Sequence, residues 1–161
     1  AICYALALTL AGCNQNTAVC NDREAEVDPV PTPAPMVGAA AALEGIAAEL
    51  IKPETMTRAD IRAIGGLGDK CAFRFTEVAQ PSFVYEPGER GIIKLNGVLI
   101  SLSAADANRF SEAGLSVTLV ASEEEGDAGL EGMDMIVVPP GAKDELGYSG
   151  FADCRDEPRG S

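Results

Sequence analysis

Histidine and tryptophan are absent from this chain. Without histidine there is no Ser-His or Cys-His pair to activate a nucleophile, and a zinc site loses its commonest nitrogen ligand. No Gly-x-Ser-x-Gly elbow or phosphate loop is found, and the cluster Gly65-Gly66-Leu67-Gly68 precedes a strand-like run instead of opening a helix as a dinucleotide site does. Positive charge is scarce: 12 Lys and Arg stand against 25 Asp and Glu, for a formal net charge of -13. That balance excludes nucleic acid as an expected partner, because such binding rests on Lys and Arg neutralising phosphates, and it repels an anionic membrane surface. Aromatic residues are only 5% of the chain, so the core is expected to be mostly aliphatic. The apolar stretch Ala1 to Gly12 is too short to span a bilayer. No cofactor, no metal and no catalytic residue is expected.

What is present begins with an address. A short apolar run ends in Leu10-Ala11-Gly12-Cys13, the arrangement of a secretory signal with small residues at its cut. The pattern resembles the lipobox of bacterial lipoproteins. The resemblance implies that Cys13 is the lipidation site, that the signal is cut just before it, and that acyl chains there anchor the protein to the membrane. Asn14 stands where an inner-membrane retention signal places Asp, so the implied location is the outer membrane, facing the periplasm. No Met, Lys or Arg precedes the apolar run, and the start of the signal is expected to lie upstream of Ala1.

With Cys3 in the signal and Cys13 committed to lipid, Cys20, Cys71 and Cys154 remain. Disulfides persist in the periplasm, and Cys71 and Cys154 bracket the strand-rich region, so these two are the expected disulfide. Cys20 is left as an exposed cysteine, an intermolecular or redox thiol, or a rival for Cys71.

The chain divides into a signal remnant (1–12), a lipidated Pro-rich tether (13–37), a helical segment (38–66), an antiparallel β domain (67–155) and a tail (156–161). Pro29, Pro31, Pro33 and Pro35 alternate along the tether, which favours an extended, semi-rigid spacer. Between Gly38 and Ile51, Leu43, Ile46, Ala47 and Leu50 form an amphipathic stripe that predicts one helix ended by Pro53. A second short helix is expected after Thr57, with Asp60 completing a capping box, Gly65-Gly66 as the stop, and Ile61 and Ile64 as its buried pair.

From Cys71 the period changes to two, so Cys71, Phe73 and Phe75 share one face, and in a second run, Ser82 to Glu86, Phe83 and Tyr85 lie on one face. Asn96-Gly97 between apolar runs predicts a two-residue hairpin that sets Leu95 opposite Val98, Ile93 opposite Ile100 and Gly91 opposite Leu102. Ala104 to Gly114 reads as a polar connection or a single helical turn. Leu115–Ala121, Met133–Val138 and Leu146–Asp153 read as further strands, and the glycines of Gly147-Tyr148-Ser149-Gly150-Phe151 suggest a bulge or a tight approach. Met133 and Met135 read as core filler. The fold class is α+β, mainly β: a short N-terminal helical segment followed by a small antiparallel β sandwich or barrel of about seven strands.

The acidic run Glu123-Glu124-Glu125-Gly126-Asp127 has neither the spacing of a calcium loop nor a visible cleft, and is expected to be a solvated hairpin loop. Lipobox, tether, bracketing cysteines and β domain together resemble uncharacterised envelope lipoproteins. They are also loosely similar in architecture to membrane-bound lysozyme inhibitors, small lipidated barrels with a bracketing disulfide. In that family Ser-Gly followed closely by Tyr plugs the lysozyme cleft, whereas here Ser149-Gly150 leads into Phe151-Ala152-Asp153. The expected function is a non-catalytic binding or structural module of the cell envelope, held to the membrane by its lipid and open to an envelope protein partner. The alternative is an inhibitor of an envelope hydrolase such as lysozyme.

Overall fold

Eight strands close into one antiparallel barrel in simple chain order, with the first strand pairing the last. The computed structural model describes residues 29–127 and 130–154; Cys13, Cys20, the signal remnant and the tail lie outside the described residues. The strands are β1 (Cys71–Arg74), β2 (Phe83–Glu86), β3 (Arg90–Leu95), β4 (Val98–Ala104), β5 (Arg109–Glu112), β6 (Leu115–Glu125), β7 (Glu131–Val138) and β8 (Leu146–Cys154). Two short helices, α1 (Ala39–Leu43) and α2 (Arg58–Ala63), precede them.

The strand beyond the expected seven is β5, from the stretch read as a polar connection. Phe110 is the only apolar residue of Arg109-Phe110-Ser111-Glu112, and it is fully buried in the barrel. The turn after it sets Glu112 opposite Leu115 through Ala113 and Gly114, both at positive φ (47° and 87°). A non-glycine residue rarely adopts that conformation, so Ala-Gly does not announce the hairpin as Asn-Gly does.

The single helix expected over Gly38–Ile51 is instead α1 followed by a 3₁₀ turn, Ala48–Leu50. Gly45, at φ +71°, breaks the helix in the left-handed conformation that glycine adopts without steric cost. Breaking it lets Ala39, Leu43 and Ile51 all enter the barrel's core, while Leu50, expected on the apolar stripe, is 61% exposed. The second helix forms as read. The Thr57 side chain accepts from the Asp60 amide, the Asp60 carboxylate accepts from the Thr57 amide, and Ile64 is buried while Ile61 is half-buried.

The β3–β4 hairpin has the expected register in every pair, with Asn96 at φ 44° and Gly97 at φ 79°. Asn96 also clasps the chain ahead of the barrel. Its Oδ1 accepts from the Lys52 amide at 2.8 Å, and its Nδ2 donates to the Leu50 carbonyl at 3.0 Å. Asn96→Ala removes both bonds and puts a residue with no polar side chain into the left-handed region. The expected loss is about 2 kcal/mol, against a smaller loss for Asn96→Gly, which keeps the turn and drops the clasp. Chemical denaturation of the two variants checks this, and equal losses would show that the clasp, not the turn, carries the effect.

The few aromatics are concentrated inside. Phe73, Phe83 and Phe110 are fully buried, and the Phe83 ring lies 5.3 Å from those of Tyr85 and Phe110. Aliphatic residues of β3, β4, β6 and β7 fill the rest of the interior, with Met135 fully buried and Met133 packed against them. Gly91 and Gly150 make room for the buried Phe83 and Phe73 rings. A Cβ at Gly91 would lie 2.3 Å from the Phe83 ring, and one at Gly150 would lie 2.7 Å from the Phe73 ring. The tight approach expected in the last strand is thus that of β1 to Gly150, through the Arg74 carbonyl oxygen (2.2 Å from a Cβ there) and the Phe73 ring. Of the two rings near it, Tyr148 packs on the core beside Phe75, while Phe151 is half-buried.

A second, smaller core lies outside the barrel wall. Met56, Ile64, Val84 and Leu99 are buried together there, with Ala34, Ile61, Leu67 and Ile92 packed against them. The last residues of the proline-rich stretch help to cover it. The Val37 amide donates to the Leu99 carbonyl and the Leu99 amide to the Pro35 carbonyl, both at 2.9 Å, so these residues lie along β4 as an added strand-like strap.

Candidate functional site at the barrel mouth

The two ends of the barrel differ. At the end holding the β3–β4 and β5–β6 turns, α1 and Ile51 close the interior, and the Ala39 amide donates to Glu112 Oε2. At the other end a cavity of about 400 Å³ opens, lined by Tyr85, Pro87, Asn108, Ala121, Glu131, Met133, Ala152 and Cys154. Those residues come from strands or loops around most of the circumference. By strand alternation Tyr85, Ala121, Glu131, Met133, Ala152 and Cys154 all have the inward parity.

Tyr85 forms the buried wall of this mouth. It is 4% exposed, its ring is stacked on Phe83 at 12° and set edge-on to Phe110 at 5.6 Å, and no hydrogen bond reaches its hydroxyl among the described residues. Burial, with the Glu131 carboxylate adding to it, pushes the phenol up to about 12, so it stays protonated at any physiological pH. Burial also raises Tyr148. Glu131 is exposed at the start of β7 and has no ion-pair partner among the described residues. Ala121, Met133 and Ala152 supply an apolar floor.

Cys71 and Cys154 are joined by a disulfide at this end, directly across the β1–β8 seam. The expected pairing is therefore present, and it places a covalent bond where the first and last strands close the barrel. Cys13 lies outside the described residues. The acidic run is exposed, as read, but it is not simply a loop: Glu123, Glu124 and Glu125 continue β6, with a register shift between Ala121 and Glu125. Gly132 faces that irregular segment, where a Cβ would lie 2.1 Å from the Glu124 carbonyl oxygen. A shallower groove of about 560 Å³ runs along this hairpin and shares Ala121 and Glu131 with the mouth. Among the described residues no group of three or more His, Cys, Asp or Glu is placed to hold a metal ion. None of the described helices is long and apolar enough to cross a membrane.

The mouth residues escaped the sequence reading for local reasons. Alternation puts Tyr85 on one face with Phe83, but only closure of the sheet makes that face an interior with an opening. Glu131 falls two residues before the strand expected to begin at Met133, so its inward parity was hidden. Asn108 sits in a connection without visible periodicity.

The fold and the site together define a small disulfide-closed antiparallel barrel, stoppered at one end and open at the other over a phenol and a carboxylate. The chain belongs to the family described as Domain of unknown function (DUF6692), whose model matches residues 9–157. No curated protein and no solved structure matches it.

Proposed function

We propose that this protein is a lipid-anchored binding module of the bacterial outer membrane, facing the periplasm, and that it acts without catalysing a reaction. The observation that carries the reading is the Cys71–Cys154 disulfide across the barrel seam, since such bonds persist in oxidising compartments. Behind the Leu10-Ala11-Gly12-Cys13 pattern, it supports export followed by lipidation of Cys13. The mouth favours binding over catalysis. A phenol pushed up to about 12 is far from the working range of a general base near neutral pH. A stoppered, filled barrel is also a rigid platform for a binding surface.

The anchor has a direct test. Cys13→Ser is expected to move the protein from the membrane fraction to the soluble periplasmic fraction. Wild-type protein found soluble in the periplasm would sink the lipoprotein reading. Affinity capture from envelope extract tests the partner, and recovery of no specific protein counts against a protein-binding role.

A second reading, inhibition of an envelope hydrolase such as lysozyme, is favoured by the closed small barrel with its bracketing disulfide and by the acidic balance of the chain. Ser149-Gly150 does not support it. The pair lies within β8, opposite Asp134 and Met133, with Gly150 buried under Phe73, so it cannot project into a cleft. Inhibition would have to use the mouth or its acidic rim. Failure of the purified protein to slow a c-type lysozyme removes this reading.

A further inference from the structure

The open mouth combines three properties that together select a ligand. First, its buried wall carries an unused polar group: Tyr85 is more than nine-tenths buried, lines the cavity, and has no hydrogen-bond partner for its hydroxyl among the described residues. Tyr85 borders the cavity, so its hydroxyl is available there to donate to or accept from a bound group. Its ring, stacked on Phe83 and edge-on to Phe110, fixes where that hydroxyl sits. Second, the rim carries a carboxylate, Glu131, with no cation paired to it among the described residues. Third, the floor between them is apolar, made by Ala121, Met133 and Ala152.

We propose that the barrel mouth binds an alkyl ammonium or guanidinium group, with the cationic head between Glu131 and the Tyr85 hydroxyl and the aliphatic stem against Met133 and Ala121. An anion is disfavoured by Glu131 and by the surplus of acidic over basic residues. A neutral aliphatic ligand would fill the floor but leave the rim carboxylate unmatched. The phenol, protonated throughout the physiological range, keeps an oxygen lone pair to accept from the ammonium and its own proton to donate to Glu131 or to water. The cavity of about 400 Å³ is large enough for one extended aliphatic cation. The same chemistry is offered by a free amine and by a Lys or Arg side chain of a protein partner. The inference deepens the binding-module reading but does not depend on the lipid anchor.

The test is a calorimetric and NMR titration of the purified protein with cadaverine, agmatine and a short Lys-containing peptide, using 1-pentanol and hexanoate as neutral and anionic controls. The cations are expected to bind more tightly than both controls and to shift the Met133 methyl and Tyr85 ring signals. Glu131→Gln is expected to weaken cation binding about tenfold while leaving 1-pentanol binding unchanged. Tyr85→Phe, which keeps the stacked ring, is expected to weaken it about threefold to tenfold. Tighter binding of the free amines assigns the site to a small metabolite, and tighter binding of the peptide assigns it to a protein side chain; both support the inference. Equal affinity for cadaverine and 1-pentanol, no shift at Met133 or Tyr85, or unchanged cation binding in Glu131→Gln would each overturn it. Such a failure is distinct from failure of the envelope reading, which Cys13→Ser fractionation decides separately.

Discussion

Replacing Cys71 and Cys154 together by alanine is expected to lower the unfolding free energy by about 3–5 kcal/mol, among the largest effects available to two substitutions in this protein. The bond links residues separated by 83 positions, so it encloses every strand of the barrel. A cross-link over a loop of that length removes about 4–5 kcal/mol of chain entropy from the unfolded state in the entropic account, although measured values often fall below it. Its place in the fold adds a second reason. The β1–β8 pairing closes the barrel, and β1 contributes only four residues to it, Cys71 to Arg74 opposite Cys154 to Phe151. Without the bond, a short seam must hold the sheet shut by four cross-strand pairs and by the packing of Phe73. Urea denaturation of the double variant, and of the wild type with and without reductant, measures the effect. A midpoint unchanged by both treatments would mean that strand pairing alone closes the barrel.

Much of this architecture is legible in the sequence because its signals are local. The Asn96-Gly97 turn, the alternation around Cys71, Phe73 and Phe75, and the Thr57–Asp60 capping box each depend on residues within a few positions of one another. The elements that local patterning does not predict depend on distant partners. β5 has one apolar residue and turns through Ala113-Gly114, so only the neighbouring strands, Ser103-Ala104 on one side and Leu115 to Thr118 on the other, make it a strand. The stripe from Leu43 to Leu50 is a good helical pattern, but the barrel end it must stopper is better filled by Leu43 and Ile51 across a break at Gly45. The candidate site was illegible for the same reason. Tyr85 and Glu131 meet at the mouth only because the sheet closes, and no spacing in the chain encodes that meeting.

The other large expected effect concerns Asp60, whose capping role was visible while its burial beneath the strap was not. Asp60 is fully buried outside the barrel wall. Its carboxylate accepts from Lys94 Nζ at 2.8 Å, from the Ala34 amide at 2.6 Å and from the Thr57 amide at 2.7 Å. One side chain therefore joins the proline-rich strap, the start of α2 and strand β3. Asp60→Ala leaves the Lys94 ammonium buried without its partner and is expected to cost about 3–5 kcal/mol. Lys94→Met is expected to cost less, because the carboxylate keeps two backbone donors. Asp60→Ala combined with Lys94→Met is expected to lose less than the sum of the two single changes, since the charge whose burial is uncompensated has gone.

The pair also sets a pH dependence of definite sign. Burial raises the Asp60 carboxyl, but the hydrogen bonds from Lys94, Ala34 and Thr57 outweigh it and hold the group at about 2, below its ordinary value of 3.8. A carboxyl depressed by folding binds its proton more readily in the unfolded chain, so its contribution is complete above pH 3.8 and fades as the pH falls towards 2. The fading amounts to about 2 kcal/mol, because each unit of displacement corresponds to about 1.4 kcal/mol. Asp60→Asn removes the titration and keeps the shape. Stability measured by urea denaturation from neutral pH down to strong acid should therefore fall less steeply in Asp60→Asn than in the wild type. Parallel acid limbs in the two proteins would show that other carboxylates, and not this buried junction of strap, helix and strand, govern the loss of stability in acid.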